Sequence, residues 1–117
     1  MRKTTSTNFE NEQQLHEWCT AAFTLSVISG RWKLTILVKL LDQDLKFGEL
    51  KQAIPGITER VLALQLKNLE RDQLILKVAD EPNGHLYRLS PTGRSLEGVI
   101  NSLSGWGAVH QPVPSAK

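Results

Sequence analysis

Few side chains in this sequence are equipped for chemistry, and most of those are cations. One thiol, Cys19, and three imidazoles, His16, His85 and His110, are the only soft ligands and neutral-pH proton carriers, and they recur at no spacing that a metal site requires. A single cysteine cannot form a disulfide within its own chain. Its oxidation is limited to a sulfenic acid, a mixed disulfide or a bridge between two chains. Catalysis would call for a nucleophile beside a base, a carboxylate cluster or a glycine-rich phosphate loop, and the sequence contains none of these patterns. An enzyme is not expected, and neither a cofactor nor a metal is called for.

The remaining chemistry is electrostatic. The net charge is +2, and segments 1–30, 31–77 and 78–117 carry −1, +3 and 0. In the middle segment, Arg60, Leu64, Lys67 and Arg71 fall on one side of a helical wheel, opposite Leu62, Leu66 and Leu69. A guanidinium at Arg60 can pair with guanine in a bidentate way, the Thr58 hydroxyl can meet a phosphate, and Leu64 can touch a thymine methyl. Lys67 and Arg71, farther along, suit phosphate or solvent. Lys46 and Arg31 are candidates for phosphate contacts that set register. Lys77, His85 and Arg88 can reach phosphates or a minor groove, although alternation along strands forbids all three from doing so together. The competing reading for each is an ordinary solvated charge, and for Leu64 a stray surface leucine.

These residues need a frame. With 117 residues, 40% hydrophobic and 22% charged, the chain suits one globular domain. We expect it over residues 8–110, with disordered ends at 1–7 and 111–117. No apolar run approaches the ~20 residues of a membrane span, and the polar N-terminus lacks a secretory core, so a cytoplasmic location is expected.

Thr7-x-x-Glu10 reads as a capping box for a short helix over Asn11–Trp18. Phe23, Val27 and Ile28 suggest a second helix over Thr20–Ser29, ended at Gly30. Trp32, Ile36 and Leu40 mark the core face of a third, with Lys33 and Lys39 turned away. A short helix is expected from Leu45 to Ile54, then a Pro55-Gly56 turn, then a helix capped by Thr58 and running to Arg71. Two such helices joined by a tight glycine turn form a helix-turn-helix. Alternating Leu74, Leu76 and Val78, the turn residues Pro82-Asn83-Gly84 and a return over Leu86–Leu89 predict a β-hairpin wing. Ser90-Pro91 opens a last helix with an apolar stripe of Leu96, Val99, Ile100, Leu103 and Trp106. Its four glycines lower helix propensity, so tertiary or subunit packing must hold it. The fold class is mainly α with a small β-hairpin, a winged helix-turn-helix whose second motif helix would enter the major groove of double-stranded DNA.

The run Cys19-x5-Leu25, Val27-Ile28-x-Gly30-Arg31-Trp32-Lys33, Lys46-Phe47-x-Glu49-Leu50, Ile54-Pro55-Gly56-Ile57-Thr58, Leu62-x3-Leu66-x2-Leu69 and Tyr87-x-Leu89-Ser90-Pro91-x-Gly93 resembles the HxlR family of bacterial regulators. The resemblance covers about residues 15–107. It implies a winged-helix homodimer, related in architecture to MarR-type regulators, with the N- and C-terminal helices forming the interface and Trp32 and Phe47 in the core. It also implies that Cys19 is placed as a sensor of quinones, aldehydes or oxidants, a role favoured by a helix N-terminus just after it. An inert cysteine in the dimer interface is the competing reading. Thr20 replaces a proline usual in the family, which alters the local backbone, and Leu64 replaces a polar residue, which implies either a loss of sequence readout or a distinct operator. Gln73 replaces a glycine, so the helix is expected to end without a left-handed cap residue. Two alternatives stay open: a small-molecule ligand held between the dimer helices with Cys19 uninvolved, and a winged helix used for protein interaction.

Overall fold

The computed structural model describes residues 19–112. The capping box at Thr7 and Glu10, the helix expected over Asn11–Trp18 with His16, and residues 113–117 of the expected disordered tail lie outside the described residues. Within them, the elements run α1 (Thr20–Ile28), α2 (Arg31–Asp42), α3 (Phe47–Ala53), α4 (Glu59–Arg71), β1 (Ile75–Ala79), β2 (His85–Leu89), α5 (Pro91–Arg94) and α6 (Glu97–His110).

The periodic leucines and isoleucines act as the sequence requires. Ile36, Leu37 and Leu40 of α2, Leu50 of α3, and Leu62, Leu66 and Leu69 of α4 are all buried, and Ile54, Ile75, Tyr87 and Leu89 join the same core. Burial of this apolar surface drives the packing of α2, α3 and α4 against the hairpin. Trp32 and Phe47 pack half-buried on its edge. The turn between α3 and α4 is set by Pro55 and Gly56. Gly56 has φ +86°, and the Ile57 N–H donates to the Ile54 carbonyl at 3.3 Å, which is the pattern of a type II turn.

In three places the structure departs from the expected layout. Helix α3 begins at Phe47, because Leu45 is drawn into β pairing with Tyr87. The Leu45 N–H donates to the Tyr87 carbonyl at 3.1 Å and the Tyr87 N–H donates back at 2.8 Å. This pairing satisfies the outer edge of β2, whose inner edge is already paired with β1 from Ile75↔Leu89 to Ala79↔His85. Secondly, α4 does end in the left-handed region, with Gln73 itself at φ +64°. The Gln73 N–H reaches the Glu70 carbonyl and the Leu74 N–H the Leu69 carbonyl, each at 2.9 Å, which makes a complete Schellman motif without glycine. Thirdly, the last helix is broken at Ser95–Leu96 into α5 and α6. There the Ser95 hydroxyl donates to the Thr92 carbonyl at 2.5 Å and competes with the helical ladder.

Ser90 and Gly93 join the wing to α5. Ser90 Oγ accepts from the Gly93 N–H at 2.9 Å and donates to the Gln73 carbonyl at 2.7 Å, while the Ser90 N–H donates to the Leu74 carbonyl at 3.0 Å. Gly93 is obligatory on steric grounds. A Cβ there would lie 2.0 Å from the Leu74 carbonyl oxygen.

Candidate nucleic-acid interface

Helix α4 divides cleanly into two faces. Leu62, Leu66 and Leu69 are sealed in the core, whereas Arg60, Ala63, Leu64, Lys67 and Arg71 are exposed. Its N-terminus is capped by Thr58, whose Oγ1 accepts from the Val61 N–H at 3.1 Å. The same hydroxyl keeps its proton for an outside acceptor. Glu59, in the first turn, complements the helix dipole. Arg71 is partly engaged, with Nε 3.4 Å from Asp72 Oδ1. Thr58, Arg60, Leu64 and Lys67 therefore sit together along one outward stripe, as their spacing predicts.

The wing stands beside this helix and is braced from the α2–α3 connection. Arg88 is held by Asp44, with Nη2 at 2.8 Å and Nε at 2.9 Å from Oδ2. Lys46 Nζ lies 3.7 Å from Asp80 Oδ2 at the start of the hairpin tip. Three consecutive residues, Asp44, Leu45 and Lys46, thus tie down the wing by an ion pair, a strand bridge and a second ion pair. Sequence reasoning missed Asp44 and Asp80, since each pairs with a residue distant in the chain and no local pattern marks it. Glu49 steadies the start of α3 by accepting from the Lys46 N–H at 2.8 Å.

The strand register separates the remaining wing cations. Lys77 pairs across from Tyr87, and His85 across from Ala79, so Lys77 and His85 share a face while Arg88 points to the other with Leu76. The Lys77 ammonium lies 6.0 Å from the Tyr87 ring centroid. Arg31 begins α2, with its guanidinium stacked 4.2 Å above the Trp32 ring.

Cys19 occupies the N-cap position of α1, on a different element from the cationic stripe, and is partly exposed. Its carbonyl accepts from the Ala22 and Phe23 N–H groups at 3.0 and 3.2 Å. Beyond it, the outer surfaces of α1 and α6 are apolar. Phe23, Leu25, Val99, Leu103, Trp106 and Val109 are all exposed, the last two by 68% and 76%. Trp106 stacks on His110 with ring centroids 4.1 Å apart, and His110 Nδ1 is 2.9 Å from the Trp106 carbonyl. An open cleft of about 320 Å³ between the two helices is lined by Ala21, Thr24, Leu25, Ile28, Val99 and Leu103. Among the described residues, no single helix is long and apolar enough to cross a membrane.

A tight glycine turn, a capped helix with one charged face and a braced hairpin define a winged helix-turn-helix protein. Residues 27–114 match the model of the HxlR-like helix-turn-helix family. The chain belongs to that family and is a helix-turn-helix transcriptional regulator. It is 43% identical over 89 residues to the uncharacterized HTH-type transcriptional regulator YtcD of Bacillus subtilis, a span of 74% of this chain and 71% of that protein. Among solved structures, it is similar to the redox regulator HypR in its reduced form, with 34% identity, a TM-score of 0.71 and coverage of 77% of this chain and 91% of that one. It is also similar to the quinone-bound YodB from B. subtilis, with 26% identity, a TM-score of 0.68 and coverage of 77% and 97%.

Proposed function

We propose that this protein is a cytoplasmic homodimer that binds an inverted-repeat DNA operator and changes its affinity when Cys19 is oxidised or alkylated. The observation that carries the DNA reading is the outward stripe of α4, where Thr58, Arg60 and Lys67 surround Leu64 on a helix whose opposite face is locked into the core. Such a helix fits the major groove with its N-terminal residues nearest the bases. Arg60 reads a base edge, and Thr58 and Lys67 meet phosphates. Lys77 and His85, on one face of the hairpin, are the wing's contacts. Arg88, held by Asp44, keeps the wing in place and offers fewer donors to DNA. Lys46 and Arg31 contact the flanking backbone.

The homodimer is argued from the unburied apolar faces of α1 and α6, which a second copy covers in an isologous interface. Cys19 sits at the end of that surface, so a bulky adduct or an intersubunit disulfide there would shift one subunit against the other and alter half-site spacing. HypR and YodB, described as a redox regulator and as quinone-bound, lend support to this reading.

Sequencing of genomic fragments captured by the reduced protein at a fixed salt concentration tests the DNA reading, since affinity depends steeply on salt. The expected outcome is a short inverted repeat with half-sites about one helical turn apart. Replacing Cys19 by serine should leave this binding intact and abolish its response to diamide or a quinone. A response that persists in the serine variant favours a second reading, in which a small apolar ligand occupies the cleft between α1 and α6.

A further inference from the structure

Leu64 is the residue of α4 that the helix's own architecture does not explain. The other three leucines of the helix are 0–1% exposed, yet Leu64 is 54% exposed and points away from the core. Its neighbours one turn away on the same stripe are Arg60 on the N-terminal side and Lys67 on the C-terminal side, and exposed Ala63 widens the apolar spot at its edge. Helical side chains lean toward the N-terminus, so Leu64 is directed toward Arg60 and the capped end of the helix.

An apolar spot between cations matches a particular kind of surface. The major groove of duplex DNA presents rows of phosphate on both walls and, on its floor, one apolar group, the C5-methyl of thymine. A protein partner apolar enough to take Leu64 would also need anions on both sides of the spot.

We propose that Leu64, assisted by Ala63, reads the C5-methyl of a thymine in each operator half-site, near the base contacted by Arg60. This rests on the DNA reading above and adds a specificity determinant to it. Arg60 and Leu64 are four residues apart, which is about 6 Å along a helix, so the thymine lies roughly two base steps from the Arg60 contact. Arg60 supplies polar recognition and Leu64 apolar recognition. Leu64 thereby distinguishes thymine from cytosine through the methyl alone, since its own side chain neither donates nor accepts a hydrogen bond.

The test uses the intact, reduced protein at one salt concentration. An operator is first selected from a random duplex library, and each of its thymines is then replaced singly by deoxyuridine, which removes the methyl and leaves every hydrogen-bonding group in place. At one thymine per half-site, binding should weaken about fourfold, the ~0.8 kcal/mol of one buried methyl converted at 1.4 kcal/mol per tenfold. In Leu64→Ala the same replacement should have no effect, while the thermal midpoint stays at the parent value because the side chain is exposed. An operator indifferent to every thymine methyl, or a uracil penalty that survives in Leu64→Ala, overturns the methyl contact and leaves DNA binding standing. A selection that enriches no sequence overturns both, and Leu64 then belongs to a protein interface.

Discussion

The two halves of this molecule bury their apolar residues differently. From α2 through β2, the core-face leucines and isoleucines of the helices are sealed and the buried core runs from Ile36 to Leu89, with Trp32 and Phe47 half-buried at its edge and Leu76 of the strand alternation exposed. The flanking helices bury little: α1 seals only Ile28, and α6, at 14 residues, seals only Ile100. The middle of the chain is thus a finished module that holds a charged helix and a hairpin in fixed relation, whereas α1 and α6 carry apolar surface that the other described residues leave exposed. Such surface is the mark of an association site rather than of a poor core. A reader of DNA must be rigid, and under the proposed homodimer the flanking helices would be completed only on assembly.

Breaking the joint between the halves should have the largest effect. Gly93 lets α5 lie against the backbone of Leu74, and Gly93→Ala puts a methyl 2.0 Å from a carbonyl oxygen that cannot move without breaking its bond to the Ser90 N–H. The loss should reach the upper end of overpacking costs, about 3 kcal/mol. Urea unfolding would register it as a lower midpoint, and an unchanged midpoint would mean that α5 stands off from Leu74 in solution.

The association surface can be broken separately. Leu103 is 46% exposed on α6 and lines the cleft facing α1. Leu103→Glu should weaken dimerisation by about 2 kcal/mol, some thirtyfold, since a charge would be buried without a partner in the interface centre. Sedimentation over a range of concentrations reads this directly. A dimer unaffected by the change would place the interface elsewhere and leave the exposed face of α6 unexplained.

The DNA-facing half is sharpened by comparing two cations on one stripe. Arg60→Ala should cost about 1–3 kcal/mol of operator affinity and relax the preference at one base pair. Lys67→Ala should weaken binding evenly across sequences and lower the salt dependence by about one phosphate contact. Titrations against the operator and single-base variants at two salt concentrations separate the outcomes. Equal effects from both residues would make Arg60 a phosphate contact as well.

How legible each half was in the sequence follows from the range of the interactions that shape it. Leucines at 62, 66 and 69, the Thr58 cap, the Pro55-Gly56 turn and the Ser90-Pro91 start are local signals, and each element stands where they place it. The pairing of Leu45 with Tyr87 and of Asp44 with Arg88 was hidden, because residues distant in the chain decide both. Leu45 reads locally as the first apolar position of a helix, and the demand of a strand edge overrides it. The charged stripe of α4 was legible since helical geometry alone brings it together. The apolar stripe of α6 was legible too, but whether it faces a core or a partner depends on what packs against it, which periodicity does not encode.

The smallest effect concerns the end of α4, where the chain turns from the charged helix into the wing. Gln73 holds φ +64°, a conformation in which a side chain crowds the backbone and which glycine adopts freely. Its N–H and carbonyl are both in use, the first on Glu70 and the second on Ser90, and glycine retains both groups. Gln73→Gly should therefore relieve the strain and return part of the gain as backbone entropy, for a net stabilisation of about 0.5 kcal/mol. On a domain of this size that is a rise of about 2–4 °C in the thermal midpoint. Gln73→Val, β-branched at the same position, should lower it. If glycine lowers the midpoint instead, the glutamine side chain makes a contact that outweighs the strain, and the C-terminus of α4 is fixed by that contact rather than by its backbone hydrogen bonds.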